Sequence, residues 1–289
     1  MQPECLWPLK AELGEGPVWC PREQVLWFTD IKQRRLHRFD PVSGTGRSFI
    51  APDQPGFALP AHGGGLIVGM PGGLHHFDPQ QRTFKRLVQV ETDRPGNRLN
   101  DACVDSLGRL WFGSMDDAEE QPSGALYCWS GKAAPARCDD HMVITNGPAL
   151  SPYGRTLYHT DTLQGLVYAF DLEGDGQLRR KRVLIRIEPE AGYPDGTTVD
   201  ADGCLWIALW GGWGVRRYSP QGELLDFLRF PCANVTKLAF GGSDLRTVYA
   251  TSARKGLSPA QRMEQAQAGA LFAFRSDTPG QPATAVAYG

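Results

Sequence analysis

Paired cysteines are missing from this chain. Its seven cysteines, Cys5, Cys20, Cys103, Cys128, Cys138, Cys204 and Cys232, are odd in number and form no C-x-x-C pair. That argues against a disulfide framework and against a sulfur-ligated zinc site. Cys103 and Cys204 sit in or beside strand-like runs and read as small buried hydrophobes. Charge of one sign is missing too. The net charge is -2, and no run of like charge is long enough for a tail, so no nucleic-acid footprint is expected. No apolar stretch approaches the length that spans a bilayer, and the start of the chain has no basic region followed by an apolar one. A soluble, cytoplasmic protein is expected, acting as a monomer without nucleic-acid or membrane partners. Several catalytic signatures are also absent: the G-x-S-x-G elbow, the H-E-x-x-H zinc helix, the phosphate loop and the dinucleotide fingerprint.

Helical periodicity is scarce as well. Short alternating or β-rich runs dominate instead, separated by Gly, Pro, Asp and Asn, and the chain carries 34 glycines and 22 prolines. An all-β domain with many tight turns follows from that pattern. The 289 residues, 41% of them hydrophobic, suffice for a large core and show no linker that would divide them, so residues 1–289 are expected to form one domain.

The runs repeat. Val25-Leu-Trp-Phe-Thr-Asp30 and Arg35-Leu-His-Arg-Phe-Asp40 recur in altered form as Gly108-Arg-Leu-Trp-Phe-Gly113 with Gly124-Ala-Leu-Tyr-Cys-Trp129, and as Leu205-Trp206 with Gly214-Val-Arg-Arg-Tyr218. Six units of roughly 40 to 50 residues and about four strands each match a six-bladed β-propeller, whose blades circle a central channel. A β-sandwich does not demand this period. Glu4-Cys-Leu-Trp-Pro-Leu9 is expected to pair with the last blade and close the ring, since closure removes exposed strand edges. Trp27, Trp111 and Trp206 recur at one strand phase and read as core between blades.

One phase of the repeat is unusually polar. Counting back five residues from Cys20, Asp105, Ser151 and Asp200 gives Glu15, Asn100, Asn146 and Asp195. The sixth unit offers Thr236, beside Lys237, and the weakly aligned second offers Gly56. In a propeller, equivalent positions of the innermost strands converge at one mouth of the channel. Singly, Asn146-Gly147 and Pro194-Asp195-Gly196 are ordinary turn signals. Turn chemistry does not explain the shared offset. Two carboxylates with carboxamide oxygens suit a divalent cation that prefers hard oxygen ligands. Glu15 and Asp195 would bring the site's charge to about zero once a dication is bound. A neutral substrate would then meet no barrier, and an anionic product would not be trapped. Arg98 is exposed-loop-like by type, yet near such a mouth its fork of donors would suit substrate hydroxyls. Asp116-Asp-Ala-Glu-Glu120 reads as a solvated loop able to rim the mouth. Trp210-Gly-Gly-Trp213 reads as packing, with stacking on a sugar ring as the functional alternative. His75, His76 and His159 read as structural.

At these residues the chain resembles the gluconolactonase/regucalcin (senescence marker protein) family of sugar lactonases. The likeness is carried by Leu13-Gly-Glu-Gly-Pro-Val-Trp19, Arg98-Leu-Asn-Asp101, Asn146-Gly147, Pro194-Asp-Gly196 and Leu205-Trp206, and it covers nearly the whole chain. Asp30-Ile-Lys-Gln-Arg34, Ala208-Leu-Trp-Gly-Gly212, Asn234-Val-Thr-Lys237 and Ala253-Arg-Lys-Gly-Leu-Ser258 look most like the bacterial xylonolactonase branch. The resemblance implies a six-bladed propeller with one catalytic divalent metal ion; calcium, zinc, magnesium, manganese and iron(II) are all associated with the family. It maps the ligands onto Glu15, Asn146 and Asp195, and a sugar-binding pair onto Arg98 and Asn100. The family's further substrate-binding Glu has no clear counterpart. Its register falls on Ala118, with Glu119 and Glu120 just beyond, so both acids stay candidates. The implied activity is hydrolysis of an aldonolactone, a pentonolactone such as xylonolactone or else gluconolactone, to the aldonic acid, with Asp195 as the base for the attacking water. Two other classes make different expectations: a non-catalytic binding propeller, and a calcium-binding regulator.

Overall fold

The fold was analysed in a computed structural model that describes residues 2–289. Six four-stranded antiparallel sheets follow one another along the chain. Their innermost strands are Gly14–Cys20, Phe57–Pro60, Asn97–Val104, Thr145–Leu150, Tyr193–Val199 and Val235–Gly241, which define blades 1 to 6 in that order. Each inner strand contacts the next, and the last contacts the first, so the sheets form a closed ring around an axis. Closure is achieved as expected: Glu4–Trp7 adds to Leu271–Arg275 as the outermost strand of blade 6, with Cys5 opposite Phe272. Leu9 lies beyond the paired segment.

The core lies between blades rather than at a single centre. Trp27 and Trp111 are fully buried and Trp206 is 2% exposed. Phe57 packs on Phe112 between blades 2 and 3, and Trp206 on Phe240 between blades 5 and 6. The outermost strands are mostly exposed, and this explains two elements that alternation does not predict. Ala136–Met142 and Leu178–Arg186 are edge strands. The latter holds Arg179-Arg-Lys-Arg182, charged on both faces because neither face is covered. Lysine- and arginine-rich edges of this kind discourage pairing with other chains.

Two features make the ends of the channel different. Five of the six inner strands lose register near their start, between Glu15 and Val18, Leu99 and Ala102, Asn146 and Ala149, Pro194 and Thr197, and Val235 and Lys237. The inserted residue bends the strand and re-aims the side chains beside it. At the opposite end, the C-terminal segment runs across the channel. The Gln281 side chain donates to the carbonyls of Leu150 (3.1 Å) and Val199 (3.2 Å), and Val286 bridges to Ala61. Among the described residues, no helix is long and apolar enough to cross a membrane.

Candidate active site

The bulged ends of the inner strands surround a cavity of about 240 Å³. Glu15, Arg98, Asn100, Glu119, Asn146 and Asp195 all line it. Glu15, Asn100, Asn146 and Asp195 are each 5% exposed or less. Segments scattered over 181 residues of sequence, from Glu15 to Asp195, therefore meet at one mouth, as the shared phase predicts. The two remaining positions of that phase do other work. Thr236 is buried and donates to the carbonyl of Gly14 at 2.6 Å, tying blade 6 to blade 1. Gly56 has no room for a side chain, since a Cβ there would lie 2.2 Å from the Leu99 carbonyl oxygen.

A hydrogen-bond chain fixes the amide orientations. Arg98 Nη1 donates to Asn100 Oδ1 (2.6 Å), Asn100 Nδ2 donates to Asn146 Oδ1 (3.1 Å) and to the Thr145 carbonyl (2.7 Å), and Asn146 Nδ2 donates to Thr162 Oγ1 (3.0 Å). Asn146 Oδ1 keeps a second lone pair for a ligand. The exposed-loop reading of Arg98 is corrected here: the residue is 3% exposed, and its Nε binds Asp117 Oδ1 at 2.7 Å. Those bonds use Nε and Nη1 and leave Nη2 to a ligand.

The two acidic side chains are held differently. Glu15 Oε2 accepts only from its neighbour's backbone, Gly16 N–H, at 3.0 Å. Asp195 Oδ1 is buried with no hydrogen-bond partner. Burial, then the charge of Asp101, pushes the Glu15 carboxyl up to about 8. Burial, then the charges of Glu15 and Asp101, pushes Asp195 well above the ordinary carboxylate value. Two neighbouring acids that resist ionisation without a cation, one with an orphaned oxygen, form an oxygen-rich cradle that fits a hard divalent cation, whose charge would favour their ionised forms. Among the described residues no three His, Cys, Asp or Glu side chains gather for a metal. The donors here are two carboxylates and a carboxamide.

The acidic segment at 116–120 divides. Asp117 is the anchor: it binds Lys32 (2.6 Å), Gln54 (3.1 Å) and Arg98, and these partners, against the opposing effect of burial, hold its carboxyl at about 2. Asp116 caps the turn by accepting the N–H groups of Glu120 and Gln121, both at 2.9 Å. Glu119 reaches the cavity and pairs with Lys255. Glu120 is exposed and outside the lining, so of the two candidate acids only Glu119 is placed at the site. Sequence reasoning overlooked Lys255, Tyr193 and Leu163 in the lining. Trp210, expected to be packing, also lines the cavity, with Lys255 Nζ 6.0 Å from its ring centre. The aromatic and aliphatic wall over a polar floor is the usual form of a small-molecule site. His159 is buried with both ring nitrogens unpartnered, away from the lining, as its structural reading requires.

A six-bladed propeller with an acidic axial pocket at one mouth is the class these features define. The family model described as SMP-30/Gluconolactonase/LRE-like region matches residues 13–254. The chain belongs to this family. It is 34% identical over 278 residues to a 6-deoxy-6-sulfogluconolactonase of Pseudomonas putida, covering 96% of each chain. It is 31% identical over 273 residues to regucalcin of Danio rerio, covering 93% of this chain and 92% of that protein. Among solved structures, a calcium-binding protein, regucalcin, of Agrobacterium tumefaciens superposes with a TM-score of 0.94 at 27% identity, covering 98% of this chain and 96% of the other.

Proposed function

We propose that this protein hydrolyses a sugar aldonolactone, a pentonolactone such as xylonolactone or a hexonolactone such as gluconolactone, in a reaction that depends on a divalent cation. The observation that carries the reading is the pair of buried carboxylates, Glu15 and Asp195, set side by side with an unpartnered Asp195 Oδ1. Iron(II), calcium, zinc, manganese or magnesium, held by Glu15, Asn146 and Asp195, would supply Lewis acidity toward the lactone carbonyl when bound.

The chain's own residues have distinct tasks. Asp195 Oδ1 takes a proton from the attacking water, whose oxygen forms the new bond to the carbonyl carbon; the ring C–O bond then breaks, and the departing ring oxygen takes that proton from Asp195 to end as a hydroxyl of the aldonic acid. Arg98 Nη2 and the Asn100 amide orient substrate hydroxyls. Arg98 is held for this by Asp117, and Asn100 by Arg98 and Thr145. Trp210 and Tyr193 cover the apolar face of the sugar, and Glu119 stands at the rim, where it accepts from a substrate hydroxyl once it releases Lys255. The C-terminal segment crosses the far end, away from these groups, so substrate reaches them from the mouth that Trp210 and Tyr193 line. No nucleophilic Ser or Cys is required.

The test is turnover of one pentonolactone and one hexonolactone after chelation, and again after adding back each cation. Activity lost on chelation and restored by a dication supports the reading. Binding of the cation without turnover of either lactone would favour a regulatory calcium-binding role. Neither binding nor turnover would leave a propeller used as a scaffold.

A further inference from the structure

The position after each site residue follows a rule of its own. Glu15, Asn146 and Asp195 are each followed by glycine, Gly16, Gly147 and Gly196. Asn100 is followed by Asp101 and Thr236 by Lys237. Asp101 comes from blade 3 and Lys237 from blade 6, which stand opposite each other in a ring of six, and the two side chains form an ion pair across the channel. Both are buried, with side-chain exposures of 8% for Lys237 and 2% for Asp101. Lys237 Nζ also donates to the Ala102 carbonyl at 3.3 Å. Gly196 makes the room: a Cβ there would lie 2.5 Å from Lys237 Cγ and 2.6 Å from its Cβ. The lysine stem therefore passes directly beside the backbone that carries Asp195. Asp101 Oδ2 is buried without a hydrogen-bond partner, as Asp195 Oδ1 is.

A buried ammonium in the axis of a small propeller is costly unless paired. Here it is paired once, and it sits beside the Glu15 and Asp195 carboxyls, which have no side-chain partner. We propose that Lys237, held by Asp101, is a positioning residue that sets the net charge beneath the site, limiting how tightly a dication is held by Glu15 and Asp195. This inference rests on the cation-holding reading of that site. As an ion pair, Lys237 and Asp101 together add no net charge to the layer beneath the site. Without the lysine it carries one further negative charge facing the cation.

The experiment is direct titration of chelator-stripped protein with manganese(II) and calcium by calorimetry, for wild type, Lys237→Met and the double variant Lys237→Met/Asp101→Asn. The single variant is expected to hold the dication more tightly, on the order of tenfold, because attraction to an added unit charge in a partly dehydrated channel reaches the kcal/mol range and 1.4 kcal/mol is tenfold. The double variant, which leaves no uncompensated charge, is expected within about threefold of wild type. The double variant is the deciding one if the single does not fold. Lactone turnover of the loaded single variant should fall although its cation is held more tightly. A lysine that merely fills space predicts the reverse: weaker or unchanged binding in the single variant, or a double variant well outside the threefold band. Either result overturns the proposal. Wild-type protein that binds no dication would instead overturn the reading of the site itself.

Discussion

Blade 5 carries two buried aspartates five residues apart, and they are treated in opposite ways. Asp200 is fully buried, and every acceptor is used. Its Oδ1 takes the N–H groups of Asp202 (3.0 Å) and Cys204 (2.9 Å), and its Oδ2 takes Trp206 Nε1 (2.9 Å) and Arg217 Nη2 (2.7 Å). Blade 3 repeats the arrangement almost atom for atom, with Asp105 receiving Leu107, Arg109 and Trp111. These are latches that hold a turn, a tryptophan and an arginine to the end of the inner strand. Asp195, at the other end of the same strand, has an oxygen with no partner and a second acid beside it. A buried carboxylate whose acceptors are filled stabilises the fold. One left open costs stability.

Exchanging the roles of these residues breaks the comparison most sharply. Asp195→Asn is expected to lower lactone turnover by on the order of 10³-fold or more, the scale of losing a general base together with a cation ligand. The same change removes a buried acid whose ionisation burial and the neighbouring Glu15 make unfavourable. The cation-free variant should therefore unfold at a higher temperature than cation-free wild type, by about 2–4 °C for each ~1 kcal/mol relieved. Thermal unfolding in chelator checks this, and a large drop in unfolding temperature would place Asp195 among the latches. Next in size, Glu15→Gln should weaken dication binding by about 10²-fold or more, since even outer partners of a metal site are worth 10–100-fold. Calorimetric titration measures it.

The converse change is Asp200→Asn. It should cost about 3 kcal/mol of stability, because Arg217 and Trp206 Nε1 lose a shared acceptor in a buried setting, while dication affinity stays at the wild-type value. Denaturant unfolding alongside titration separates the two effects. The smallest effect concerns buried histidines that are not a site: His159, with neither ring nitrogen partnered, and His37, whose Nδ1 meets Ser48 Oγ at 2.9 Å. Burial lowers His37 and His159 to about 3. Because these folded values lie below the unfolded one, the stability each contributes is complete above about pH 6.5 and is lost progressively as pH falls toward 3. The acid-side slope of unfolding free energy should therefore flatten by up to about 1.4 kcal/mol per pH unit in His159→Met, measured by denaturant titration between pH 6.5 and 4.5.

The difference between latch and site was only partly legible in the residues. The phase that brings Glu15, Asn100, Asn146 and Asp195 together could be counted, because a propeller repeats its geometry blade by blade. The closing strand could be read too, since a lone apolar N-terminal run needs an edge to cover. What stayed hidden depends on pairing across the ring. Arg98 looks like a solvated loop residue until Asp117 is seen to hold it. Glu119 and Glu120 are adjacent and alike, and only the turn capped by Asp116 sends one to the cavity and the other to water. Trp210 carries no periodic mark that separates a wall of the pocket from packing. Ala136–Met142 and Leu178–Arg186 lack alternation because an outer strand has no face to bury. Asp202-Gly203 after Asp200 is an ordinary turn signal, but the role of Asp200 as a latch rests on Arg217, a residue two strands away.

The central claim is that Glu15, Asn146 and Asp195 share one divalent cation. Calorimetric titration of stripped wild-type protein with manganese(II), run in buffers of different ionisation heat at pH 7, tests it most directly. With the Glu15 carboxyl pushed up to about 8, binding must displace protons, and affinity should strengthen as pH rises toward 8. The account predicts one site per chain, with protons released on binding, lost in Asp195→Asn and intact in Asp200→Asn. A cation bound equally well by Asp195→Asn, or one bound without release of protons, would contradict it.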